Sequence, residues 1–216
     1  MKTYPCRIVA TEYEVRFAFG GKVTWVGKKA GDAVKRGEPI ASLDKKILQT
    51  ELDRQLADYE KTRSEFELFN LKSGDGSDTD KYLRQIRQAQ LNASVKEVEL
   101  AKYKLDQVSV YSPVNGFVAD FGGLTPGLYI TPANNTIIVI DADSLSAHFT
   151  VKQDDLKMFS EPQKVTVTVS GTDKVYSGLT ELLKIGKDGS FTVRVSPEDK
   201  TGLLVGMEGE VSLDTV

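Results

Sequence analysis

The one histidine, His148, is the first residue to test for chemistry, because Asp143, Ser144 and Ser146 lie close to it in the sequence. A Ser-His-Asp triad requires a nucleophilic hydroxyl exposed on a tight turn, beside donors that stabilise an oxyanion. The sequence around these residues has no nucleophile elbow, and it alternates in the manner of a β-strand. The pattern therefore favours a strand histidine over a catalytic one.

Acidic residues between Asp75 and Asp80 offer oxygen ligands of the kind that bind calcium. An EF-hand loop also requires glycine at its sixth position and glutamate at its twelfth, which here are Asp80 and Ile86. The segment has instead the composition of a turn that caps a following helix. Two glycine pairs, Gly20-Gly21 and Gly122-Gly123, lack the spacing and the following helix of a phosphate-binding loop. We therefore expect no metal, cofactor or catalytic site.

The composition excludes several classes of protein. The 216 residues include 28 lysines and arginines against 31 aspartates and glutamates, and the net charge of −3 argues against binding nucleic acid through its phosphates. The single cysteine, Cys6, excludes an internal disulfide framework and a cysteine-rich metal site. No apolar run approaches the roughly 20 residues of a membrane-spanning helix. The N-terminus lacks the apolar stretch of a signal peptide, so we expect either a cytosolic protein or a fragment whose targeting segment was removed.

A long amphipathic helix is predicted between Asp44 and Lys72, a stretch without proline or glycine, with Asp44 as its N-cap. One face of this helix repeats with alternating spacings of four and three residues, the heptad pattern of a helix packed against one partner. It comprises Leu48, Leu52, Gln55, Tyr59, Thr62, Phe66 and Phe69.

A second helix is predicted from about residue 79 to 108, after the turn composition of residues 73–78. Its larger or apolar residues have the same spacing, interrupted by Lys96. They are Tyr82, Ile86, Ala89, Ala93, Leu100 and Tyr103. Two helices of similar length joined by a short loop predict an antiparallel hairpin with arms of about 40 Å. The five aromatic rings of the two stripes are expected to pack inside it, and any ring that is exposed instead would mark a surface for a partner.

The residues on either side of the hairpin have the pattern of short β-strands separated by glycine turns. The two flanks also form a weak internal repeat of about 30 residues. In each, a glycine (Gly21 or Gly116) precedes a strand, and a second glycine turn follows at Gly31 or Gly127. We therefore predict one β domain made from both flanks, which requires the hairpin to return the chain to its starting point.

From Asp143 onward, short alternating segments with frequent turns predict a small antiparallel barrel. The expected strands are residues 145–151, 164–169, 175–185, 191–195 and 203–213. Residues 154–159 have the pattern of one or two helical turns. The segment 7–10, otherwise isolated at the N-terminus, is expected to donate one further strand.

The two flanks resemble the half-motifs of a known family. The first half-motif covers residues 15–23 and 29–44, and the second covers residues 110–118 followed by Pro126-Gly127. Both are similar to the lipoyl half-motifs of periplasmic adaptor proteins of the haemolysin-D type, which are also called membrane fusion proteins. Residues 204–211 resemble the closing strand of that family's barrel. The resemblance extends over almost the whole chain, and it depends on the order of these motifs around a heptad hairpin.

The resemblance implies an elongated, multidomain α+β fold, and an apolar share of 40%, slightly below the usual one, also favours an elongated shape. An antiparallel coiled-coil hairpin, residues 44–108, would be inserted into a split lipoyl-like β-sandwich of residues 12–43 and 109–141. Residues 1–11 and 142–216 would form a small antiparallel β-barrel.

The resemblance further implies an assembly protein with no catalysis of its own. Adaptors of this family bridge an inner-membrane transporter, of the RND or ABC type, and an outer-membrane exit duct in tripartite efflux and secretion systems. They pack side by side as a ring, commonly a hexamer. They sit in the periplasm and are attached to the inner membrane, here through a segment outside this chain. Neither a cofactor nor a nucleic acid is implied.

The turn between the helices is the tip of the hairpin, and the resemblance implies that the tip contacts the exit duct. The residues expected to do so are Phe69, Asn70, Ser73, Asp75, Ser77 and Lys81. The family's tip often carries an arginine, a leucine four residues later and a serine seven residues beyond that. Here Glu67 stands four residues after Arg63, and Leu68 comes one place late, so the tip departs from the family pattern.

Two alternatives to an adaptor remain. A biotinyl or lipoyl carrier domain holds its carrier lysine at an exposed tight turn between its two β halves. Here the hairpin takes that place, and Lys45 and Lys46 simply begin the first helix. A carrier would show a mass increment on a lysine, whereas a stand-alone coiled-coil scaffold would self-associate without any transporter.

Overall fold

The structure is a computed structural model that describes residues 2–72, 78–159, 161–171, 174–185 and 191–213. In chain order its strands and long helices are β1 (Thr3–Val9), β2 (Glu12–Val15), β3 (Gly21–Val26), β4 (Ala33–Val34), β5 (Pro39–Leu43), α1 (Lys46–Lys72), α2 (Asp78–Asp106), β6 (Ser109–Tyr111), β7 (Gly116–Asp120), β8 (Tyr129–Ile130), β9 (Ile137–Asp141), β10 (Ser146–Val151), β11 (Lys164–Val169), β12 (Val175–Ile185), β13 (Phe191–Pro197) and β14 (Glu208–Leu213). Two short 3-10 helices, Ala142–Ser144 and Gln153–Phe159, flank β10.

Two four-stranded sheets form a sandwich, and each contains strands from both flanks of the hairpin. Their strand orders are β2-β9-β7-β4 and β6-β5-β3-β8. In each sheet two strands precede the helices and two follow them, so neither sheet can form until the hairpin has brought the chain back. The core between the sheets is mostly aliphatic, and it is fully buried around Val23, Ile40, Val118 and Val139. This arrangement confirms the predicted sandwich split by a helical hairpin.

The strand pairing shows the internal repeat that the two flanks predict. One sheet maps onto the other when β2, β9, β7 and β4 are replaced by β6, β5, β3 and β8. Gly31 and Gly127 occupy equivalent turns with φ of 91° and 93°, a region that glycine enters without strain. Gly31 donates its N–H to the carbonyl oxygen of Val118 at 2.7 Å, and Gly127 donates to that of Val23 at 2.8 Å. A turn in each half is therefore hydrogen-bonded to a central strand of the other half.

α1 and α2 form an antiparallel hairpin that is anchored in the sandwich. Asp44 caps α1, because its Oδ1 accepts a hydrogen bond from the N–H of Lys46 at 2.9 Å. At the base of the hairpin, where the chain leaves and later rejoins the sandwich, the side chains of Leu48 and Leu105 pack against the sandwich core. The partly buried face of α1 contains every member of the predicted stripe. Neither helix, over its described length, has an apolar segment that could span a bilayer.

The stripe predicted for α2 faces away from α1, so that prediction is wrong. Tyr82 and Tyr103 are 67% and 62% exposed, and the rest of the stripe is exposed as well. The face of α2 that packs on α1 contains instead Arg87, Leu91, Ser94, Val95, Val98, Ala101 and Leu105. Both faces have heptad spacing, and the rotation of α2 is set at its base, where Leu105 must reach the sandwich core. Of the five aromatic rings, only the three on α1 are partly buried.

Six strands form a closed barrel in the order β1-β10-β13-β12-β11-β14. The N-terminal strand, expected at residues 7–10, extends over the longer range of β1 and closes the barrel by pairing with both β10 and β14. The last strand begins at Glu208, later than its expected start at residue 203. The rings of Tyr4, Phe149 and Phe159 contact one another in the core, with centroids 5.4 to 5.7 Å apart.

Two short connections join the barrel to the sandwich, one between β1 and β2 and one between β9 and β10. The N–H of Thr11 donates to the Ser144 hydroxyl oxygen at 2.7 Å, and the N–H of Asp141 donates to the Thr11 carbonyl oxygen at 3.0 Å. The two connections therefore lie side by side and form a single joint.

Candidate functional site

The hairpin tip, the end of the hairpin far from the sandwich, is the candidate site. Phe69 and Asn70 lie in the last turn of α1, and Lys81 lies in the first turn of α2. The structure thus brings these three predicted residues to the same end of the hairpin. The other three predicted residues, Ser73, Asp75 and Ser77, lie outside the described residues.

The three described residues differ in how much of their side chains they offer to a partner. Phe69 is partly buried on the face of α1 that packs on α2, so its ring supports the tip from within. Asn70 and Lys81 are exposed, and Lys81 Nζ lies 3.0 Å from Asp78 Oδ1. An ion pair between two exposed side chains contributes little stability. Both groups of that pair therefore stay available for contact with another protein.

Two exposed leucines at the end of α1 were missed by the sequence analysis as tip residues. Leu68 is 50% exposed and Leu71 is 84% exposed. The sequence carried a signal for both, because they fall on the side of α1 opposite the heptad stripe that includes Phe66 and Phe69. They add apolar contact area to a tip that otherwise presents amide and charged groups.

The arginine that departs from the family's tip pattern has a partner within its own helix. Arg63 Nε lies 2.8 Å from Glu67 Oε1, one helical turn further along α1. This hydrogen bond raises the pKa of Arg63 above its ordinary value. Glu67 therefore occupies the position of the family's leucine and pairs with the arginine.

A groove of about 550 Å³ lies on one side of the hairpin next to the tip. It is lined by Phe66, Asp80, Lys81, Arg84, Gln85, Gln88, Ala89 and Asn92. Apart from Phe66, these residues all come from α2, and most are amides or charged groups. The groove can therefore receive an apolar side chain against the Phe66 ring while the amides form hydrogen bonds with a partner.

His148 lies in β10, as the alternating pattern predicts. Its Nε2 is 3.3 Å from the Ser146 hydroxyl, and the hydrogen bonds of the described residues give it no carboxylate partner. Burial, and secondarily the charge of Arg194, lower the pKa of His148 below its ordinary value. The Ser146 hydroxyl is buried and His148 has no carboxylate hydrogen-bond partner among the described residues, so the pair lacks the arrangement of a catalytic triad.

Other potentially reactive side chains, two lysines and a cysteine, also show no arrangement typical of catalysis. Lys45 and Lys46 are exposed at the start of the hairpin, as the sequence predicts. Cys6 is buried in the barrel, and burial, helped by the charge of Glu210, raises the pKa of its thiol to about 11. The described part of the chain contains no cluster of three or more His, Cys, Asp or Glu side chains that could hold a metal ion.

No protein-family profile matches the chain, and no curated protein matches its sequence. Its fold, a helical hairpin inserted into a split sandwich beside a six-stranded barrel, is that of membrane fusion and periplasmic adaptor proteins. The membrane fusion protein Spr0693 from Streptococcus pneumoniae R6 aligns with a TM-score of 0.77 over 100% of both chains, at 15% identity.

Two further solved structures show the same architecture. A MacA-MexA chimeric protein that contains the Pseudomonas aeruginosa MexA α-hairpin domain aligns with a TM-score of 0.77 at 21% identity, over 97% of this chain and 79% of that one. The periplasmic adaptor protein EmrA aligns with a TM-score of 0.56 at 16% identity, over 98% of each chain. The predicted resemblance is therefore confirmed as a likeness of fold.

Proposed function

We propose that this chain is a periplasmic adaptor subunit that bridges an inner-membrane transporter and an outer-membrane exit duct, with no catalysis of its own. One observation carries the proposal. A hairpin of 27- and 29-residue helices is inserted into a split sandwich beside a barrel, an arrangement that a membrane fusion protein shares over its whole length. The transporter is of the RND or ABC type, and the system serves efflux or secretion.

The hairpin supports the proposal because it can hold its tip at a fixed distance from the sandwich. Helices of this length span about 40 Å. The base is fixed by Leu48 and Leu105, and by a hydrogen bond of 3.0 Å from the Leu43 N–H to the Val108 carbonyl oxygen. Further out, Arg87 Nη1 lies 3.7 Å from Glu65 Oε2 across the two helices. Such a spacer suits a protein that must connect two partners across a gap.

The two ends of the molecule take different partners in this proposal. The barrel and the region near it bind the transporter, and the protein is attached to the inner membrane. The tip binds the duct, and copies of the chain assemble side by side as a ring, a hexamer in the simplest case. The proposed duct contacts are Phe69, Asn70, Ser73, Asp75, Ser77 and Lys81.

Purification of a tagged full-length protein from its native membranes tests the proposal. We expect a transporter and an outer-membrane duct to be recovered with it and identified by mass spectrometry. Recovery of neither would contradict the adaptor function. A mass increment on a lysine would favour a carrier domain instead.

A matched pair of variants tests the contribution of the tip. Lys81→Glu reverses a charge at the tip, and Lys102→Glu makes the same change at an exposed position near the base of the same helix. We expect Lys81→Glu to reduce recovery of the duct while the transporter is still recovered. Lys102→Glu should leave recovery of the duct unchanged. Equal losses with both variants would remove the tip from the proposed interface.

A further inference from the structure

A cavity of about 430 Å³ lies on the outer surface of the barrel, where the barrel meets the joint to the sandwich. Its lining comes from β10 and β13, from the two connections that form the joint, and from the turn after β13. The polar side chains that line it include those of Asp143, Ser146, His148, Arg194, Ser196 and Lys200. None of them belongs to the hairpin tip, so this cavity is separate from the candidate site described above.

The strand pairing gathers basic side chains at this cavity. His148 is directly opposite Arg7 of β1 on one side and Arg194 of β13 on the other. Residues that are opposite each other on antiparallel strands project from the same face of the sheet, and like charges in such positions repel one another. The row ends on either side at an acidic residue, Glu208 of β14 and Glu181 of β12. An anion beside the middle of the row would offset the repulsion between its basic groups.

Arg194 has a hydrogen-bond donor that no acceptor satisfies. Its Nη2 forms an ion pair with Glu181, which is not among the residues that line the cavity. Its Nε is buried and has no hydrogen-bond partner among the described residues. A buried donor of a charged group costs free energy when it lacks a partner, and water or a bound ion usually satisfies such a group. The Nε of Arg194 therefore indicates a missing acceptor at this place.

Lys200 brings a second cation to the cavity from the other side. Its Nζ donates a hydrogen bond to the backbone carbonyl oxygen of Asp143, which holds the ammonium group beside the joint. That carbonyl is a neutral acceptor, and an ammonium group has three donors, so charge and donors remain for a ligand. Among the described residues that line the cavity, Arg194 and Lys200 are positive and only Asp143, which is exposed, is negative.

Hydroxyl groups complete the set of donors. Ser196 is exposed two residues after Arg194 on β13, and therefore on the same face of that strand. The Ser146 hydroxyl lies 3.3 Å from His148 Nε2. A phosphate group accepts hydrogen bonds through several oxygens at once, and arginine and lysine are the side chains that most often bind it. The cavity is larger than one phosphate ion, so it leaves room for the rest of a phosphate ester.

We propose that this cavity binds a phosphate group between Arg194 and Lys200, with His148 and the Ser196 hydroxyl as further donors. The phosphate supplies the acceptor that Arg194 Nε lacks and the negative charge that the row of basic residues lacks. Two sources share this chemistry, free inorganic phosphate and the phosphate ester of a larger molecule, such as a glycerophosphate headgroup. The inference does not depend on the proposed function, because it concerns the barrel and the joint and not the contacts with a transporter or a duct.

NMR of His148 tests the site directly. It is the one histidine of the chain, so its imidazole Cε1–H signal is unique when the protein carries a tag without histidine. Inorganic phosphate, added at neutral pH and constant ionic strength, should shift this signal to saturation, with a dissociation constant in the millimolar range. An anion nearby also favours the charged imidazolium, so the pKa of His148 should be higher in phosphate than in chloride. A signal that does not move, or that moves without saturation, would overturn the proposal.

Matched variants identify the groups that bind. Arg194→Gln and Lys200→Gln each remove one cation from the cavity, and each should weaken phosphate binding roughly tenfold or more in the same NMR titration. Lys164→Gln removes an exposed cation from β11, the strand opposite β10 across the barrel, and should leave the affinity unchanged. Equal losses in all three variants would reduce the effect to the overall charge of the protein and overturn the site. Lys200 lies outside the strands, so its variant keeps the test decisive if Arg194→Gln does not fold.

Thermal unfolding provides a second measurement and separates the two sources of phosphate. A ligand that binds the folded chain raises its melting temperature, so phosphate should do so for the unchanged chain and for Lys164→Gln, and much less for Lys200→Gln. If glycerol 3-phosphate binds as tightly as inorganic phosphate, the site accepts a phosphate ester, whereas binding of inorganic phosphate alone identifies the free ion. Acetate should bind more weakly than either, and tighter binding of acetate would overturn the assignment to phosphate.

Discussion

The β regions and the helical hairpin differ in how much of their surface is buried. The barrel and the sandwich each enclose a core of residues with almost no exposure, such as Ile8 in the barrel and Val118 in the sandwich. In the hairpin, α1 has no buried residue, and α2 has only Ala101 within its described length. Each helix covers one face of the other and leaves the rest free. The β regions thus supply stability, whereas the hairpin supplies length and contact surface.

The largest loss of stability should follow the removal of an aromatic ring from the barrel core. Phe149→Ala removes a ring that contacts both Tyr4 and Phe159, and it should lower the free energy of unfolding by about 3–5 kcal/mol. Urea denaturation measures this loss. Tyr129→Ala removes an exposed ring and should change the free energy by less than about 0.5 kcal/mol. Similar losses for the two variants would contradict the barrel core described here.

The sandwich should respond unequally to the same change in its two halves. A Cβ at Gly116 would lie 1.7 Å from the Ile140 carbonyl oxygen, which belongs to the paired backbone. A Cβ at Gly21, the equivalent glycine of the other half, would meet the Leu43 Cδ1 atom at 3.2 Å, which a side chain can relieve. Gly116→Ala should therefore cost about 3 kcal/mol and Gly21→Ala less than about 1 kcal/mol. Equal costs in thermal unfolding would show that the halves pack alike.

Within the hairpin, truncating a side chain should cost more stability on the face of α2 that packs on α1 than on its exposed face. This difference should be smaller than those expected in the β regions. Leu91 is partly buried against α1, and Leu91→Ala should cost about 1–2 kcal/mol. Ile86 is exposed, and Ile86→Ala should change stability by less than about 0.5 kcal/mol. Circular dichroism at 222 nm during urea titration follows the helices. The reverse order would mean that α2 is rotated toward the face that its larger residues predict.

The α2 face is also where prediction from the sequence failed, and the reason is tertiary. In α1 the stripe that contains all three aromatic rings is also the partly buried one, so its seam with α2 could be predicted. In α2 two stripes have heptad spacing, and the one with larger residues is exposed. The stripe of α2 that packs on α1 includes the polar residues Arg87 and Ser94, so the sequence does not identify it as the apolar face. The choice between the stripes depends on Leu105 at the base, a constraint that local periodicity does not contain.

The sandwich could be predicted in outline because glycines at equivalent turns reveal its internal repeat. Gly31 and Gly127 mark equivalent turns, and their positive φ requires a residue without a side chain. The pairing of strands across the two flanks could not be derived from those turns alone. It depends on the hairpin returning the chain, which the similar lengths of the two helical runs indicated. At the tip, the exposure of Leu71 follows from the heptad of α1, whereas the partial burial of Phe69 limits its direct role.

The smallest expected effect concerns an interaction that is local to the hairpin. Hydrogen bonds from Arg54 first, and Gln55 second, lower the pKa of Glu51 from 4.5 to about 2. Because the folded pKa is lowered, the stabilisation is present above pH 4.5 and is lost as the pH falls through 2. The group is exposed, so stability should change only slightly, but an NMR titration of the Glu51 carboxyl carbon should show a midpoint near 2. Arg54→Ala should raise that midpoint toward 4.5. Arg63→Ala, which breaks the similar Arg63–Glu67 pair further along α1, should leave the midpoint unchanged. A midpoint near 4.5 with Arg54 in place would mean that the surface pairs of α1 do not hold the geometry seen here, even though the β cores remain intact.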